Sequence, residues 1–166
     1  TGDSVETGGT DEGGEAIGAP EPDGENITTN PDFFAPTALG AFNDWSNPTN
    51  VYTSDGTDAT AASSLLRQSY GNFGFAIPSG NEITGIEIKV DAADSAGTGG
   101  LVNVALSWDS GVSSTTQQST AALGTTDVVY VLGGQSDDWG RTWTPAEFSD
   151  GTFEVIIESD TNTSTN

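Results

Sequence analysis

The residues best suited by type to do chemistry in this chain are its close acidic pairs: Asp55 and Asp58, Asp91 and Asp94, Asp137 and Asp138. Nothing else competes with them. The counts of His and Cys are both 0, so there is no Ser-His-Asp triad, no Cys-His dyad, no zinc centre of the usual N/S kind and no imidazole acid or base. Two carboxylates can hydrolyse a glycoside, but they must face each other across a cleft about 5–9.5 Å wide. Here the members of each pair lie within one short stretch of chain, and no spacing sets a pair across a cleft. The chain therefore reads as non-enzymatic. The stretches Asp55-Gly56-Thr57-Asp58 and Ser136-Asp137-Asp138 are rich in the oxygen donors that calcium takes. Neither has the twelve-residue EF-hand spacing with its closing Glu. Asp55, Asp58, Asp137 and Asp138 stand as candidate calcium ligands against the plainer reading of solvated acidic turns, and no other cofactor is expected.

Charge narrows the partners. Lys+Arg is 3 and Asp+Glu is 25, a formal net charge of -22. Such a chain repels phosphate backbones and anionic headgroups, so nucleic acid and membrane surfaces are poor partners. No apolar run approaches the roughly 20 residues of a membrane-spanning helix. With 22 Gly, abundant Ser and Thr, and almost no Lys, the composition suits a secreted β-protein better than a cytosolic enzyme.

The elements that must position these groups fall into three parts. Residues 1–30 form an acidic, Gly-rich arm with no basic residue and no aromatic; Val5, Ile17 and Ile27 are its only sizeable apolar side chains. Alone, such a segment buries too little to offset its chain entropy, so it is expected to lie either along its own domain or on a neighbouring subunit, with the three apolar residues as its anchors. Residues 31–160 are expected to form the domain, and 161–166 a polar tail. Asn26-Ile27-Thr28 and Asn162-Thr163-Ser164 are glycosylation sequons, which makes Asn26 and Asn162 possible glycan sites.

Within the domain the period is two. Ile83–Asp91 alternates, with Ile86, Ile88 and Val90 on one face; Leu101–Trp108 alternates, with Val102, Val104, Leu106 and Trp108 on one face; Thr152–Glu158 places Phe153, Val155 and Ile157 inward. Asn50–Ser54 and Asn72–Ile77 read as further strands. Asp127–Leu132 is apolar on both faces, as in a central or interface strand. The sole helical signal is Thr144-Pro145-Ala146-Glu147, a capping box of about one turn. Short strands, turns between them and no helices predict an all-β, antiparallel β-sandwich with an extended N-terminal arm.

Four stretches carry a resemblance: Trp45-Ser46-Asn47-Pro48; Asp55-Gly56-Thr57-Asp58-Ala59; Phe73-Gly74-Phe75-Ala76-Ile77-Pro78 with Ile83-Thr84-Gly85-Ile86-Glu87; and Gly133-Gly134-Gln135-Ser136-Asp137-Asp138-Trp139-Gly140. In this order they resemble a jelly-roll-type β-sandwich module of phage and virus structural proteins and of secreted bacterial or archaeal surface proteins. The resemblance implies architecture rather than chemistry. It also implies one more apolar strand at the end, whereas nothing apolar follows Ile157 here. A sandwich one strand short leaves an unpaired edge, which a strand donated by another chain would close. The expected function is that of a self-assembling extracellular-filament or virion-surface subunit, whose arm inserts into a neighbouring copy beside Thr152–Glu158. Two alternatives stand beside this docking: a sequence cut short at its end, and a gap filled by Phe33–Phe42 of the same chain. A different class of function, a carbohydrate-binding module, requires an exposed coplanar strip among Trp45, Trp108, Trp139 and Trp143.

Overall fold

The computed structural model describes residues 33–160 and 163–165, the last three by their backbone. Val5, Ile17, Ile27, Asn26 and Asn162 lie outside the described residues.

Two antiparallel sheets pack face to face. The first is built from β1 (Ala38–Asn43), β3 (Arg67–Gly71), β5 (Val102–Ser107), β6 (Gln118–Ser119) and β8 (Glu154–Ser159), in the order β1-β3-β8-β5-β6. The second contains β2 (Ala59–Ala61), β4 (Ile86–Ala93), β7 (Val128–Gly134) and β9 (Thr163–Thr165), in the order β2-β9-β4-β7. Every pairing is antiparallel. The expected all-β sandwich is the fold.

Alternation places the core. Val102, Val104 and Leu106 on β5 and Val155 and Ile157 on β8 are buried, as are Phe153 just before β8 and Val90 on β4. Ile86 and Ile88 are only half-buried. At one end an aromatic cluster forms around Phe153, whose ring lies 4.8 Å from Phe148, 5.8 Å from Phe75 and 5.9 Å from both Phe73 and Trp143. Each of the chain's three basic residues sits on an aromatic face: Arg67 on Phe42 at 3.9 Å, Lys89 on Phe33 at 3.5 Å, and Arg141 on Trp108 at 3.8 Å. The capping box is present, with the Thr144 amide donating to Glu147 Oε2 at 2.7 Å.

Several expectations are corrected. Asn50–Ser54 is not a strand: Pro48–Tyr52 forms a 3₁₀ turn. Pro48 in its first turn has the fixed φ that suits a helix start, and Asn47 before it is left-handed at φ 52, so local backbone geometry overrides the β propensity of Val51 and Tyr52. Asn72–Ile77 joins no ladder because Asn72 (φ 54) and Gly74 (φ 71) turn the backbone out of register. Its Phe73, Phe75 and Ile77 pack on the core from a loop. Asp127–Leu132 is not central. Val128–Leu132 belongs to β7, which among the described residues pairs only with β4.

Within the stretch 161–166, expected as a polar tail, Thr163–Thr165 forms β9 between β2 and β4. Nor is there room for a donor beside Thr152–Glu158. Strand β8 pairs with β3 on one edge and β5 on the other along its whole length. Of Phe33–Phe42, the part from Ala38 onward forms β1, which pairs with β3 at the edge of the first sheet.

Candidate functional site

The acidic loops come first, since chemistry would start there. Asp55 Oδ1 accepts the Thr57 amide at 3.0 Å, and its Oδ2 accepts the Thr53 hydroxyl at 3.2 Å. The Thr57 hydroxyl, followed by the Thr57 amide, holds the Asp55 carboxyl below the usual carboxylate range. The Asp58 carbonyl accepts from Asn50 Nδ2 at 3.0 Å. Asp137 Oδ1 accepts the Trp139 amide at 2.9 Å, and its Oδ2 accepts Gln118 Nε2 at 2.9 Å. Asp138 Oδ1 accepts the Gly140 amide at 2.9 Å. These aspartates close turns, a use for which short acidic side chains are well suited. Among the described residues, no three Asp or Glu side chains gather as a metal site would require.

Asp94 is the strongest of these turn-closers and was seen in the sequence only as half of an acidic pair. It is fully buried, and its carboxylate accepts the amides of Ala96 (3.0 Å), Thr98 (2.7 Å) and Gly100 (3.2 Å) and the Thr98 hydroxyl (2.7 Å). With the Thr98 hydroxyl bond as the largest influence, the carboxyl is held down at about 2. Its neighbour Asp91 is pushed the other way, by burial first and by the charge of Asp127 second. Two carboxylates three positions apart thus sit in opposite environments without facing each other across a cleft.

The tryptophans do not make a platform. Trp45, Trp139 and Trp143 are buried, and each indole N–H is satisfied by a carbonyl: Leu66 at 3.0 Å, Ile86 at 3.0 Å and Asp138 at 2.8 Å respectively. Half-buried Trp108 stands at 83° to Trp143, and Arg141 covers its face. An open groove of about 420 Å³ runs past Trp108, Thr115, Gln118, Asp137 and Arg141. Gln118 spans it, donating to Asp137 and accepting the Gly133 amide at 3.1 Å.

The feature that stands out is an edge. One side of β4 is laddered to β7 from Ile86 to Ala92. Its other side meets β9 only at Ala92 and Ala93. Opposite Ile86–Asp91, no strand is present among the described residues. The inward side chains follow suit: Val90, next to the reach of β9, is 5 % exposed, whereas Ile86 and Ile88 farther along are half-buried. Phe33 lies over Lys89 in the middle of this stretch, and Phe34 packs edge-on against Phe75 at 5.2 Å. The donor site expected beside Thr152–Glu158 is occupied on both edges by β3 and β5. Pairing partners are long-range, and the only local signal was the polar character of residues 161–166.

Comparison of the chain with protein-family models, with curated proteins and with solved structures gave no match.

Proposed function

We propose that this chain is a non-enzymatic structural subunit that assembles with copies of itself, in an extracellular filament or on a virion surface. In this reading the arm of one copy supplies the strand opposite Ile86–Asp91 of the next. The observation that carries it is the half-laddered β4. Among the described residues the backbone of Ile86–Asp91 has no strand partner on this side, and such an edge above half-buried isoleucines is a template for an added strand. The jelly-roll likeness points the same way.

The arm is long enough, if extended, for its distal anchors to reach a neighbouring copy. Val5 is 28 residues before Phe33 (33 minus 5). At about 3.3 Å per extended residue that is a span of roughly 90 Å, well beyond the diameter of a small domain. A strand of several residues gains about 0.5–1.5 kcal/mol per net hydrogen bond. Ordering costs about 1–2 kcal/mol per residue, so Val5, Ile17 and Ile27 must contribute burial.

Deletion of Thr1–Asn30 tests the proposal. The truncated chain is expected to sediment as a monomer and to show no filaments by electron microscopy. A synthetic Thr1–Asn30 peptide is expected to bind it and raise its thermal midpoint. Normal polymers from the truncated chain would refute the arm's role.

A further inference from the structure

Among the described residues, a second strand edge in the same sheet has no partner. Strand β7 pairs with β4 on one side, and no strand pairs with its other side among the described residues. Its outward side chains Val129 and Val131 are each 52 % exposed, and Val128 at its start is 49 % exposed. Exposed β-branched residues on a free edge, with no Lys, Pro or bulge to blunt it, are what soluble monomers avoid. Gln118 shields only one end, by accepting the Gly133 amide.

We infer that β7 pairs antiparallel with β7 of a second copy about a two-fold axis at Tyr130, joining the two four-stranded sheets into one. The inference rests on the reading that the chain assembles with itself, but it uses a different surface from the arm.

Three observations select a second copy as the occupant. Val129-Tyr130-Val131 reads the same in both directions, so a two-fold centred on Tyr130 sets each Val129 opposite the partner's Val131. That register places Val128 opposite the partner's Leu132 and Asp127 opposite the partner's Gly133, so no acid faces an acid. On a molecule of net charge -22 this strand is also free of charge from Val128 to Gly134. A basic partner would be drawn to the acidic surface instead, whereas a like-charged copy can approach best where charge is absent. Cross-strand aliphatic pairs then form on the outer face, flanked by Lys89 opposite Val131 and Asp91 opposite Val129 on β4. One strand's worth of contact is small for a stable dimer, so the pairing is weak in isolation and strengthened by assembly. Repulsion between two acidic copies makes it stronger as salt rises.

The absence of cysteine makes the register directly testable in the full chain. Val129→Cys and Val131→Cys proteins are prepared separately, mixed, and treated with a short thiol-specific cross-linker at low and at high NaCl. The expected result is a cross-linked dimer that forms at least tenfold faster in the mixture than in either protein alone, with the rate rising with salt. Equal rates in the mixture and in the single variants, or no dimer in any sample, would overturn the pairing. Both sites are exposed, so neither substitution threatens folding. Failure of the arm reading is scored separately, by polymers that survive deletion of Thr1–Asn30.

Discussion

Replacing Phe153 with alanine is expected to be among the most damaging single changes in this domain. Phe153 is 2 % exposed and sits at the centre of the aromatic cluster, with four rings between 4.8 and 5.9 Å away. Truncating a buried Phe to Ala costs about 3–5 kcal/mol, as lost transfer energy plus the cavity left behind. The surrounding rings are held by one another and cannot close around the void, which puts the expectation toward the upper end. For a domain of this size the loss corresponds to a fall in thermal midpoint of roughly 10–20 °C. Phe153→Leu separates the two contributions. It keeps most of the volume but gives up the ring–ring geometry, at about 0.5–1.5 kcal/mol per aromatic pair. Urea denaturation followed by near-ultraviolet circular dichroism and tryptophan fluorescence measures both variants, with Phe33→Ala, at a ring that is 47 % exposed, as the control. If Phe153→Ala were no worse than Phe33→Ala, the cluster would not be the keystone of that end of the sandwich.

Three further outcomes follow from the geometry. Asp94 has its pKa depressed to about 2, against an ordinary value near 3.9 when unfolded. Its stabilising contribution is therefore complete above about pH 4 and is lost as pH falls toward 2; Asp94→Asn should flatten that part of a plot of thermal midpoint against pH, and an unchanged profile would count against the staple. A Cβ at Gly85 would lie 2.1 Å from the Gly134 carbonyl oxygen, so Gly85→Ala must push β4 away from β7 and should lower the midpoint by several degrees, whereas Gly124→Ala, which meets nothing within 4 Å, should not. Chelation with EGTA at low salt should leave the midpoint unchanged, because the carboxylates of Asp55, Asp137 and Asp138 already accept hydrogen bonds from their own turns; a drop that added calcium reverses would show that these loops bind the ion.

Much of the fold was legible because period-two alternation is a local property. Val102, Val104 and Leu106 had to share a face once that stretch was a strand, and burial of that face was the only way to remove it from water. The one-turn capping box at Thr144–Glu147 was equally local, being two hydrogen bonds between residues three apart. Turn chemistry likewise gave the aspartate loops their plainer reading. What the sequence left open was which strand lies beside which. Asp127–Leu132, apolar on both faces, was compatible with a central or an interface strand, and among the described residues Val128–Leu132 lies at a sheet edge with Val129 and Val131 exposed. Thr163–Thr165 carries no apolar signal, and it becomes a strand because β2 and β4 offer it backbone partners from far away in sequence. Hydrogen bonds between backbones are blind to side-chain pattern. The residues therefore determined which faces are buried, and only the assembled sheets determined which strands lie side by side.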